Sequence, residues 1–194
     1  MIDDTRARLL TRGRRLEGVT LGWNVAGVIV LSVAAIAARS VALAGFALDS
    51  LIEIGASTVV LWELAEVAHA RQRHALRLIG IAFVGLASYL AVQSTVVLAM
   101  EYHPHHSVVG IAWIALTAAV MFALAAGKAS TGVALDNLAL RTEGRVTMID
   151  GILATAVLVG LVLNAALGWW WADPAASYVL VYYGAREARA ALSD

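Results

Sequence analysis

The run Gly45-Phe46-Ala47-Leu48-Asp49-Ser50-Leu51-Ile52-Glu53-Ile54-Gly55-Ala56-Ser57 sits inside a longer apolar stretch, residues 41–67. A helix that crosses a bilayer needs about 20 mostly apolar residues, each adding about 1.5 Å toward a hydrocarbon core about 30 Å thick. The stretch is long enough, yet it carries two acids near its middle. Asp49 is nine residues from Ser40, about 13–14 Å deep at helical rise. Glu53 follows one turn later, so both carboxylates share a helix face, with Cβ atoms about 5–6 Å apart. A carboxylate at the bilayer centre costs about 2.5–3.5 kcal/mol even on the lenient insertion scale, which marks it as a functional candidate.

The rest of the chain supports a membrane reading of that stretch. Of 194 residues, 61% are hydrophobic and 14% charged, with a mean hydropathy of +0.79. Soluble domains average about 45–50% apolar and about 25% charged. The 14 Lys and Arg balance 14 Asp and Glu, so there is no basic excess to hold a nucleic acid. Cysteine is absent, which excludes disulfides and thiolate metal sites. The expected class is all-α, a polytopic protein of the cell membrane whose non-protein partner is the lipid bilayer.

Six stretches qualify as spans: residues 19–38, 41–67, 76–100, 108–126, 146–168 and 171–185. They lack the dyad alternation of a membrane barrel. Arg6, Arg8, Arg12, Arg14 and Arg15 precede the first span, and Arg71, Arg73 and Arg77 fall between the second and third. Lys128, Arg141 and Arg145 lie between the fourth and fifth, and Arg186 and Arg189 follow the sixth. Basic loops stay in the cytoplasm, so both termini are expected there. Residues 1–18 then form a cytoplasmic N-terminal segment without a cleaved signal, and residues 19–192 a six-helix transmembrane domain with no soluble C-terminal domain. The cluster Trp169-Trp170-Trp171 on the opposite side reads as an interfacial anchor.

Further polar residues surround the pair on the second span. Asp150, in Met148-Ile149-Asp150-Gly151-Ile152, has apolar neighbours on both sides and lies 18 residues from Gly168, about 27 Å in. Glu143 is seven residues before it and is flanked by Arg141 and Arg145. It is either a ligand or a salt-bridged residue in the mouth. Thr147 can add a neutral oxygen. Asn24 on the first span either completes the cluster or joins helices by hydrogen bonding. Paired carboxylates in low dielectric repel unless a proton or a cation lies between them, and an oxygen set of this kind suits a divalent metal. Glu63, Glu66, His69 and His74 read as a solvated helix end or a cation ring at the mouth. His103, His105 and His106 form a loop cluster able to take zinc or copper from outside.

The segment from Ala47 to Ser57 closely resembles the second-helix motif of the cation diffusion facilitator family, in which an Asp-x-x-x-Asp pair supplies half of a tetrahedral transport site. Here Glu53 stands in the place of the second Asp. The resemblance extends to Asn24 and to Gly168-Trp169-Trp170-Trp171-Ala172-Asp173-Pro174 at the start of the sixth span. It implies six spans, cytoplasmic termini, a homodimer, and efflux of a divalent cation by alternating access, coupled to proton antiport. The metal set it implies is Asp49, Glu53 and Asp150, helped by Asn24.

Two departures stand out. The family's fifth helix carries His-x-x-x-Asp, and counting back from Ala172-Asp173-Pro174 puts Asp150 near that Asp and Val146 at the His. Glu143 or Thr147 would have to compensate. Without the nitrogen ligand the site is harder, favouring Mn²⁺ or Fe²⁺ over Zn²⁺, with Co²⁺ a further candidate. The family's cytoplasmic C-terminal domain also has no counterpart. The competing expectation is a non-transporting membrane subunit or metal-sensing scaffold that keeps the fold. No nucleophile–base pair occurs within the spans, so an enzyme is not expected.

Overall fold

The computed structural model describes residues 2–64 and 69–193, with side chains described at 5–59, 77–190 and 192. The described residues are all-α and 91% helical. Its six helices are α1 (Ile2–Ala38), α2 (Val41–Leu64), α3 (His69–Ala99), α4 (Val108–Leu135), α5 (Leu138–Leu167) and α6 (Ala172–Ser193). Five of them, α1 to α5, contain windows long and apolar enough to cross a membrane.

Several helices run further than the apolar stretches that seed them. α1 has 37 residues, about 56 Å at helical rise, so residues 2–18 continue the first stretch as one helix. Between residues 126 and 146, where the sequence offers candidate helix of the fifth span only back to Val133, the chain is almost entirely helix. α4 continues to Leu135 and α5 begins at Leu138. Asp136 ends α4 in the left-handed conformation at φ 50°, and the Asn137 side chain caps α5 by accepting from Leu140 N. The charges that suggested a loop are absorbed in two ways. Arg141 and Arg145 point outward from α5, whereas Lys128 turns inward and is fully buried.

Around the bundle, α1 packs between α2 and α4, α4 against α5, α5 against α6, α6 against α3, and α3 against α2. This closes a ring, and α2 also reaches across it to touch α5 and α6. The most enclosed apolar window is therefore that of α2, 56% buried against 22% for α3. The core is made of small and branched residues, among them Leu31, Ala42, Leu43, Leu90, Ile114, Ala154, Val157 and Leu180. Apolar residues such as Ile29, Val33, Ile36, Ile81 and Val92 are exposed on the outer surface, the inverse of a water-soluble bundle.

Small residues set the closest approaches. A Cβ at Gly144 would stand 2.9 Å from Ala129 N, and one at Gly160 would stand 2.7 Å from Ala172 O. The ends of α2 and α6 are joined by polar contacts. Asp173 accepts from Val41 N at 3.1 Å, Ala42 N at 3.3 Å and the Ser40 hydroxyl. A carboxylate from α6 thus satisfies the free N–H groups at the start of α2.

Candidate functional site

Apart from Asp173 at the start of α6, the charged residues buried among the described residues fall into two layers. In the first, α1 supplies Asn24, α2 supplies Asp49 and Glu53, and α5 supplies Asp150, all at least nine-tenths buried. Asn24 Nδ2 donates to Glu53 Oε2 at 2.9 Å. Asp150 interacts electrostatically with Glu53 most strongly, then with Asp49 and Glu143. Glu53 Oε1 and Asp150 Oδ2 are buried with no donor from any third residue, and the two carboxyl groups lie within hydrogen-bonding reach of each other. Carboxylate oxygens short of donors in an apolar interior are costly, and these two belong to neighbouring residues on different helices. The Asp49 carboxylate also interacts with Glu187 on α6, a half-buried residue that the sequence analysis passed over.

The second layer lies two helical turns away on α1 and α5. There Lys128 Nζ stands 3.0 Å from Glu17 Oε2, 3.3 Å from Glu143 Oε1 and 3.0 Å from Thr147 Oγ1. The Ser57 hydroxyl on α2 donates to the same Glu143 oxygen at 3.3 Å. Lys128 and Glu17 have no exposed surface and Glu143 has little. Glu143 is therefore neither solvated nor paired with its arginine neighbours. It is the partner of a lysine on α4, and Thr147 is engaged by the same ammonium.

The layering follows from helix periodicity. Glu17 and Asn24 are seven residues apart on α1, as are Glu143 and Asp150 on α5. Seven residues are two turns, or about 10 Å, and return a side chain to nearly the same face. On α2, Glu53 and Ser57 are one turn apart and serve the two layers in turn. The sequence reading of Asn24, Asp49, Glu53 and Asp150 thus brings together residues that do share one buried region. It missed Glu17 and Lys128, which it placed outside the membrane with the other basic and acidic residues of the loops. A signal was present in Ala125-Ala126-Gly127-Lys128-Ala129, where no second charge lies nearby.

Among the described residues, no group of three or more His, Cys, Asp or Glu is drawn close enough to hold a metal ion. The layer of Asp49, Glu53 and Asp150 is a set of neighbouring acids and not a closed coordination shell. The loop histidines are exposed. His103 lies against the Trp170 ring at 4.8 Å, and His105 N donates to Ala38 O at 2.8 Å. The side chains of Glu63, Glu66, His69 and His74 lie outside the described residues. No family model matches the chain, and no curated protein matches it.

Proposed function

We propose that the chain is a carrier of a divalent cation that crosses the membrane six times, similar to cation diffusion facilitators. Asp49, Glu53 and Asp150 would bind the ion, with Asn24 orienting Glu53. One observation carries the reading: the buried carboxyl groups of Glu53 and Asp150 lie within hydrogen-bonding reach of each other, and no other residue donates to Glu53 Oε1 or Asp150 Oδ2. A cation between α2 and α5 satisfies both oxygens at once and offsets the repulsion between the acids. Closing a shell around it takes small movements of packed helices, the kind of shift on which alternating access relies.

In this reading α6 is the sixth span. Its 22 residues reach about 33 Å at helical rise, and its charged residues Arg186, Glu187 and Arg189 gather toward one end. Arg6, Arg12, Arg15, Arg141 and Arg145 are exposed at that same end of the bundle, a basic end that supports a cytoplasmic position for both termini. Oxygen ligands without imidazole favour Mn²⁺ or Fe²⁺. The carrier would act as a homodimer and exchange its cargo for protons. The test is flux of Mn²⁺, Fe²⁺, Co²⁺ and Zn²⁺ into proteoliposomes containing the wild type or Glu53→Gln. Flux of at least one metal, lost in the variant, is expected. No flux of any metal would leave a membrane scaffold as the better description.

A further inference from the structure

The second layer has the composition of a cation site that is already filled. Glu17 Oε2, Glu143 Oε1 and Thr147 Oγ1 surround one positive centre at 3.0–3.3 Å, and that centre is the end of a side chain from α4. Two further oxygens are at hand. Ser57 Oγ is bonded to Glu143, and Glu17 Oε1 is buried with no partner. The first layer has acids at the equivalent positions on α5 and no lysine.

We propose that Lys128 is a tethered occupant of a second cation site, formed by Glu17, Glu143, Thr147 and Ser57, whose soluble equivalent is a hard divalent cation. Charge supports the class. With the ammonium in place, the two carboxylates leave this layer one positive charge short of neutrality, and a divalent ion in its stead brings the layer to zero. All the donors are oxygen, the preference of Mn²⁺, Mg²⁺ and Ca²⁺. Truncating the lysine to alanine removes three methylenes and the ammonium and opens the room that an ion with one or two waters needs. Metal–oxygen bonds are shorter than the present nitrogen–oxygen distances by about 0.5–1 Å, within reach of side-chain adjustment by two glutamates. In the native chain the lysine holds this site against soluble ions and leaves the first layer as the one open to them. The inference stands whether or not the protein carries ions across a membrane.

The experiment counts Mn²⁺ bound to the purified full chain in detergent, by the paramagnetic resonance of free against bound ion. Lys128→Ala is expected to bind one Mn²⁺ per chain more than the wild type, and Lys128→Ala/Glu143→Gln is expected to lose that extra ion. A Lys128→Ala protein that folds only when Mn²⁺ is supplied supports the same conclusion, because the ion then replaces the ammonium. Equal counts in Lys128→Ala and wild type overturn the proposal. So does an extra ion that survives Glu143→Gln, or a Lys128→Ala protein that stays unfolded in millimolar Mn²⁺. The wild-type count reports separately on the first layer: zero there, with one in Lys128→Ala, would exclude Mn²⁺ as the first-layer ion and leave this inference standing.

Discussion

Glu143 and Asp150 share a face of α5 and differ in what surrounds them, and that difference assigns them separate roles. Glu143 is bonded to Lys128 and Ser57, whereas Asp150 faces other acids and no third residue donates to its Oδ2. Glu143→Gln should therefore act on stability. It weakens a buried ion pair, and because Glu17 remains beside the lysine the loss should be about 1–3 kcal/mol, less than for a fully orphaned charge. Asp150→Asn keeps the shape and should leave stability nearly unchanged while lowering Mn²⁺ affinity at least about tenfold, about 1.4 kcal/mol. Thermal unfolding and Mn²⁺ titration of both variants check this, and equal effects of the two on both measurements would refute the division. Asn24→Ala belongs with Asp150. It removes the amide that donates to Glu53 Oε2 and should weaken Mn²⁺ binding by about tenfold, since bonds to charged groups contribute about 1.5–3 kcal/mol. Depth in an apolar run was enough to find Asp49, Glu53, Asp150 and Asn24 in the sequence. It could not show Lys128 and Glu17 facing each other, because that contact joins helices 111 residues apart in sequence.

Helix ends and helix contacts govern the next scale. Asp173 lies in the first turn of α6 but caps α2, accepting from Ser40 and from two backbone N–H groups. Asp173→Ala leaves those donors buried and unmet, so a loss of about 1–3 kcal/mol is expected. Ser40→Ala should lose less, because the carboxylate keeps its backbone donors. Differential melting of the two variants in detergent would show the order. Gly144 makes a related point for α4 and α5. A methyl group there would meet Ala129 backbone at 2.9 Å and Lys128 Cβ at 3.3 Å, so Gly144→Ala must push the helices apart. The expected loss is about 1–3 kcal/mol, with the pairing of Lys128 and Glu143 disturbed as well. Starts at Val41 and Val108 agree with the apolar stretches, because Arg39-Ser40 and Pro104 to Ser107 interrupt the pattern sharply. The α4–α5 turn was not legible. Its charges resembled a loop, and its break is only Asp136-Asn137, two residues whose left-handed and capping conformations replace any glycine or proline signal.

The whole bundle has a sidedness that the chain itself makes easy to test, since it contains no cysteine. A single introduced cysteine is then the only thiol available to a membrane-impermeant maleimide. The α2 start, the α3–α4 loop and the α5–α6 turn lie together, as the bonds from Asp173 to Ser40 and from His105 to Ala38 require. The α4–α5 turn is at the other end, with the N-terminal part of α1. Five helices have spans by length and composition, and only the crossing of α6 decides whether the termini share a side. His105→Cys should be labelled in intact cells, whereas Arg6→Cys and Asp136→Cys should need permeabilised cells. Leu192→Cys, exposed near the end of α6, is the deciding position. If α6 crosses, it behaves like Arg6→Cys; if α6 lies along the outer surface, it labels like His105→Cys. The packing favours crossing. α6 buries Ala176, Leu180 and Ala188 along its length and touches α2, α3 and α5, so laying it on the surface would uncover one side of the helix that carries Asp49 and Glu53.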